Sequence, residues 1–141
     1  MDSPLEVLLV EDTDADLELH LRILQRDLAL GNKVHVARDG EQALRMVLSE
    51  SALEPPLWRR LKLVLMDLDL PTVDGFGVLK RMREDPRAAS IPVIVITGST
   101  QDPDIRRCRE LGAKGYIVKP IGVAQLIETT RRAGFRWLLA E

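Results

Sequence analysis

The stretch Leu63-Val64-Leu65-Met66-Asp67-Leu68-Asp69 decides how this chain is read. Four consecutive apolar residues stop at an acid. A short, unbroken apolar run reads as a strand buried on both faces, the pattern of a parallel sheet covered by helices. The same arrangement recurs on either side. Val7-Leu8-Leu9-Val10 ends in Glu11-Asp12-Thr13-Asp14, and Ile91-Pro92-Val93-Ile94-Val95-Ile96 ends in Thr97-Gly98-Ser99. Tyr116-Ile117-Val118 ends in Lys119-Pro120, and Lys33 to Ala37 alternates like a further strand.

Helical patterns separate these runs. Leu17, Leu21, Leu24 and Leu28 repeat at spacings of 4, 3 and 4, with Asp14 as a candidate cap and Gly31-Asn32 as the stop. Asp39-Gly40 opens a second helix from Glu41 to Ser49, and Pro55-Pro56 lies in a loop spanning 50–61. Phe76, Leu79 and Met82 mark one side of a third helix that Asp85-Pro86 ends. Pro103 suits the first turn of a fourth helix, closed by Gly112, and a fifth runs from about Val123 to the C-terminus. Five βα units in series predict an α/β fold, a doubly wound five-stranded parallel sheet with right-handed crossovers.

Composition narrows the class. The chain has 141 residues, with 20 Lys and Arg against 22 Asp and Glu, a formal net charge of −2. That length suits one domain with one core. Near-neutral charge argues against a nucleic-acid binder. Cys108 is the only cysteine, which excludes an internal disulfide and a cysteine zinc site. The start, Met1-Asp2-Ser3-Pro4, lacks a basic region, and no apolar stretch approaches the roughly 20 residues that span a bilayer. The expectation is a cytoplasmic domain without membrane contact.

The strand ends carry the chemistry. In open α/β sheets, sites form beyond the carboxyl ends of the strands. Glu11 and Asp12, Asp67 and Asp69, Thr97, and Lys119 would converge there. Clustered carboxylates repel, and a hard divalent cation relieves that conflict. Acids, a hydroxyl and an ammonium match the needs of phosphoryl transfer, in which a carboxylate can be the nucleophile. An acid after a strand is often only a helix cap, the alternative for Asp14 and Asp39. A lone Thr or Lys at a strand end means little. The joint pattern on four strands carries the reading.

These stretches, with Leu70-Pro71-Thr72-Val73-Asp74-Gly75 after Asp69 and Gly115 before Tyr116, resemble the receiver domain of two-component response regulators over nearly the whole length. The intervals agree: Asp67 to Thr97 is 30 residues, and Thr97 to Lys119 is 22. The resemblance implies a flavodoxin-like (βα)5 fold with Asp67 as phosphoacceptor. It implies Mg2+ or Mn2+ held by the carboxylates of Asp12 and Asp67 and the backbone carbonyl of Asp69, with Glu11 acting through a metal-bound water. Thr97 and Lys119 would bind the phosphoryl group, and Tyr116 would be the switch aromatic. His20 and His35 lie away from strand ends and read as structural. Asp69 stands where Asn is frequent in the family and would alter the dephosphorylation rate. Gly98 replaces a common Ala, and Ile121 a frequent Phe.

The resemblance further implies a sensor histidine kinase as partner and a single receiver domain over 1–141. On this expectation residues 134–141 would be a short C-terminal extension, with no output domain. The loop before Leu63 and the segment Phe135-Arg136-Trp137-Leu138-Leu139 resemble single-domain regulators of bacteriophytochrome-type kinases. A homodimer through the fourth and fifth helices is expected, with Trp137, Phe135 and Arg107 at its interface. Arg106, Arg109, Arg131 and Arg132 are either dimer ion pairs or solvated charges. The expected output is a contact with another protein.

Two other readings exist. Asp67-Leu68-Asp69 superficially resembles the Asp-x-Asp motif of haloacid-dehalogenase-type phosphatases. That motif normally lies on the first strand, and Glu11-Asp12 would then be unexplained. A phosphorylation-independent binding module would usually have lost the acid pair, the acceptor or the Lys, and all are present.

Overall fold

The computed structural model describes residues 5–27, 32–49 and 55–135. Five strands, β1 (Leu5–Val10), β2 (Asn32–Ala37), β3 (Leu61–Met66), β4 (Val93–Thr97) and β5 (Gly115–Val118), form one sheet. Every neighbouring pair is parallel, in the order β2-β1-β3-β4-β5. From β1 the chain first steps outward to β2. It then crosses back and continues on the other side from β3, so the order reverses between β1 and β3. A crevice opens at such a reversal, beyond the carboxyl ends of those two strands.

Five helices cover the sheet: α1 (Asp14–Arg22), α2 (Gly40–Leu48), α3 (Gly75–Glu84), α4 (Asp102–Glu110) and α5 (Val123–Arg132). Strand alternation sorts the core into two halves. Leu8, Val10, Val64, Met66, Val93 and Val95 face α2, α3 and Cys108 of α4. Val7, Leu9, Leu63, Leu65, Ile94, Ile96 and Ile117 face α1 and α5. Each central strand therefore buries both faces, and its sequence shows no polar alternation.

Several boundaries differ from expectation. Asp39 caps α2 by accepting from Gln42 N at 2.7 Å. Asp14 does not cap α1: it is the first helical residue, Thr13 holds the cap position, and the Asp14 carboxylate pairs with Arg38. After Arg22, α1 passes into a π turn, Ile23–Asp27, and Asn32 already belongs to β2. The loop before β3 contains a 3-10 turn, Leu57–Arg59, and β3 begins at Leu61. Strand β4 starts only at Val93, after Pro92, which cannot donate to a ladder. Helix α5 stops at Arg132, because Gly134 turns the chain with φ +91°.

That early stop corrects the interface expectation for Phe135. The turn folds its ring back into its own core beside Leu126, at 5% exposure. Trp137 lies outside the described residues. The Arg107 guanidinium sits 4.2 Å from the centre of the Phe76 ring, joining α4 to α3. Arg131 and Arg132 both pair with Glu128 of their own helix. No helix among the described residues is long and apolar enough to cross a membrane.

Candidate phosphoryl-acceptor site

The site residues are held by the ends of the sheet ladder. Glu11 N donates to Ala37 O at 3.0 Å, Asp67 N to Val10 O at 3.1 Å, and Lys119 N to Thr97 O at 2.8 Å. Glu11, Asp67 and Lys119 are each one residue past their strand, and Thr97 is the last residue of β4. The backbone pairing that builds the sheet therefore also fixes the spacing of these side chains.

Lys119 reaches across this edge. Its Nζ lies 2.6 Å from Asp67 Oδ2, 2.6 Å from Asp16 Oδ2 and 3.5 Å from Glu11 Oε2. The carboxylates hold the ammonium well above its usual pKa, against the opposing effect of burial. The other oxygen of Asp67, Oδ1, accepts from Asp69 N at 3.2 Å. Thr97 is fully buried, and its Oγ1 accepts from Ser99 N at 3.4 Å.

Glu11 is fully buried. Its Oε1 lies 2.7 Å from Nδ1 of the buried His20, while Oε2 has no hydrogen-bond partner. His20 therefore supports a site residue, beyond the purely structural role expected of it. Asp12 is half-buried, and its carbonyl accepts from Arg38 Nη2 at 3.2 Å. Oxygens of Glu11, Asp16 and Asp67 come within 4.8 Å of one another, and Asp12 is not in that group. Glu11 is thus buried at the strand end, whereas its neighbour Asp12 stays partly exposed.

Asp16 was missed in the sequence. It lies in the first turn of α1 and, in the sequence, looks like any solvated acid. One signal did exist: Thr13-x-x-Asp16 has the spacing of a helix-start capping box, although the Thr13 side chain makes no cap hydrogen bond.

The loop carrying Asp69 is clamped from both sides. Gly75 N donates to Leu68 O at 2.8 Å, and a Cβ on Gly75 would lie 2.6 Å from Asp67 O. Thr72 adopts a left-handed φ of +66°. Its Oγ1 donates to Asp39 Oδ1 at 3.1 Å and accepts from Glu41 N at 3.0 Å. Asp69 itself is exposed. Tyr116 is half-buried on β5, and its hydroxyl donates to Ser99 O at 2.7 Å. Burial pushes its pKa up, while that hydrogen bond opposes the shift.

The donor set is one that a hard divalent cation takes: oxygen ligands at a strand-end crevice, including a buried carboxylate oxygen without a hydrogen-bond partner. Sheet order, strand-end acids and the lysine across the crevice define a signalling receiver. A profile for the response regulator receiver domain matches residues 7–131, and the chain belongs to that family.

Relatives agree with this. The chain is 35% identical over 137 residues to the "Probable methanogenesis regulatory protein FilR2" of Methanothrix harundinacea, covering 97% of this chain and 86% of the relative. Two solved bacteriophytochrome response regulators are also similar. RtBRR has 37% identity and a TM-score of 0.81, covering 97% of this chain and 82% of that one. AtBRR has 36% identity and a TM-score of 0.83, covering 99% of both. The Mn2+-bound form of response regulator Rcp1 is 30% identical with a TM-score of 0.75, over 93% of this chain and 91% of that one. The protein is thus a receiver-domain response regulator of two-component systems, a signalling class that works with histidine kinases and binds divalent metal. The phosphatase reading falls with this assignment.

Proposed function

We propose that Asp67 accepts a phosphoryl group from the phosphohistidine of a sensor kinase. The observation that carries this is the 2.6 Å contact between Lys119 Nζ and Asp67 Oδ2, in the crevice where the strand order reverses. An Asp67 carboxylate oxygen attacks phosphorus and forms an O–P bond. The P–N bond to the imidazole breaks, and the imidazole leaves with that electron pair. Lys119 is placed to pair with the phosphoryl oxygens as their charge develops. Mg2+ is the proposed cofactor, held by the carboxylates of Asp12 and Asp67 and the carbonyl of Asp69, with Glu11 acting through water. When bound it neutralises charge on the transferring group.

The test is labelling by acetyl phosphate with magnesium. Wild type should be labelled and Asp67→Asn should not; equal labelling of the variant overturns the assignment. Asp69 places a carboxylate where an amide is frequent in the family. Asp69→Asn should change the aspartyl-phosphate lifetime, and an unchanged lifetime removes that role.

Phosphorylation then biases a two-state element. Thr97 turns its hydroxyl to the phosphoryl group, Tyr116 leaves Ser99 O for the space vacated, and the α4–β5–α5 face exchanges partners. The proposed output is contact of that face with a further protein. The likeness to RtBRR and AtBRR supports a bacteriophytochrome-type kinase as donor. A phosphotransfer profile against the host's histidine kinases tests that pairing. Homodimerisation through the α4–α5 face, with Arg107 among its residues, is tested by sedimentation; a monomer in both phosphorylation states overturns it.

A further inference from the structure

The geometry points to Asp16 as a positioning residue that engages Lys119 in the resting state and thereby restrains phosphoryl acceptance at Asp67. This rests on the reading of Asp67 as acceptor. Asp16 lies in the first turn of α1 and Lys119 just past β5, 103 residues apart in sequence. Their contact is as short as that of Lys119 with Asp67, 2.6 Å in each case.

An ammonium has three donor hydrogens. Asp16 Oδ2 and Asp67 Oδ2 occupy two, while Glu11 Oε2, 3.5 Å away, is an ion-pair neighbour without a hydrogen bond. Two of the lysine's three donor hydrogens thus meet a carboxylate before a phosphoryl group arrives. The Lys119 hydrogen bond holds the Asp16 carboxyl below its usual pKa, and the Thr13 hydroxyl adds to this. Position in the first turn of α1 also favours a negative charge. Asp16 therefore stays ionised beside the acceptor.

Two consequences follow for an incoming anionic phosphodonor. Asp16 adds a negative charge a few ångströms from Asp67, and it shares the cation that would otherwise face the phosphoryl oxygens. Removing the carboxylate should leave Lys119 anchored by Asp67 and Glu11, with its charge freed for the donor. Acceptance should accelerate.

The experiment measures the rate of labelling by acetyl phosphate at saturating magnesium, across ionic strength. Asp16→Asn should raise the rate about threefold to tenfold. Asp16→Glu should stay near wild type. In wild type the rate should rise with salt, because screening relieves repulsion of the donor, and Asp16→Asn should flatten that slope. If Asp16→Asn does not fold, as judged by circular dichroism, Asp16→Ser replaces it. A folded neutral variant with an unchanged or slower rate overturns the inference while leaving Asp67 as acceptor. Failure of wild type to be labelled would instead remove the reading on which it rests.

Discussion

Lys119 Nζ and Asp67 Oδ2 lie 2.6 Å apart, although their residues are 52 positions apart in the chain. The pair is mostly buried, with side-chain exposures of 17% and 8%. Replacing Lys119 by Gln leaves Glu11, Asp16 and Asp67 facing one another without a cation. Breaking a buried pair in this way leaves uncompensated charge, and a loss of about 3 kcal/mol is expected. Urea unfolding at neutral pH should show the earlier midpoint, and added magnesium should restore part of it. The deficit should shrink in acid. Lys119 depresses the Asp16 pKa, so that stabilisation is present above the ordinary carboxylate pKa and lost as pH falls through the lowered folded value.

Thr72 combines a strained backbone with a useful hydroxyl. Both Thr72→Ala and Thr72→Gly lose the bonds to Asp39 and Glu41 N. Only glycine relieves the positive φ. The glycine variant should be more stable than the alanine variant by about 1 kcal/mol, as read by thermal melting. Gly40 tests the same clamp from the other side, since a Cβ there would lie 1.8 Å from Val73 O. Gly40→Ala should cost about 3 kcal/mol or more, because backbone must separate from backbone.

Cys108 is buried at 1% exposure against the α3–α4 side of the core, and burial pushes its thiol up to about 11. Thiolate is the reactive form. In mildly alkaline solution a disulfide reagent should label Cys108 only after denaturation. Prompt labelling of the native protein would contradict this packing.

Asp85 ends α3 and is gripped by Arg87, whose Nη2 lies 2.8 Å from Oδ2 and whose Nε lies 3.0 Å from Oδ1. These bonds lower the Asp85 pKa from 3.8 to about 2. Its contribution to stability is present above the unfolded value and lost as pH falls through the folded one, between about 3.8 and about 2. Carbon-detected NMR titration should place the Asp85 midpoint near the lower figure. Arg87→Ala should return it toward the higher one.

The amino-acid sequence by itself determined the sheet and most of the site. Val7 to Val10, Leu63 to Met66 and Val93 to Ile96 must leave water on both faces, and only a sheet covered on both sides allows this. A parallel sheet then places Glu11, Asp67, Thr97 and Lys119 on one edge, because each follows or ends a strand. These residues were legible because strand-end position is a local property.

What the tertiary structure alone decided is which charges meet. Asp16 and Asp14 are two residues apart in one helix, yet Asp16 pairs with Lys119 and Asp14 with Arg38. His20 reads as an ordinary helical polar residue until α1 packs across β1 and brings it to Glu11. Phe135 reads as a free aromatic until Gly134 turns it inward. The physical reason is common to all three. A side chain's partner depends on how one helix crosses another element, and that crossing is set by the packing of the whole core.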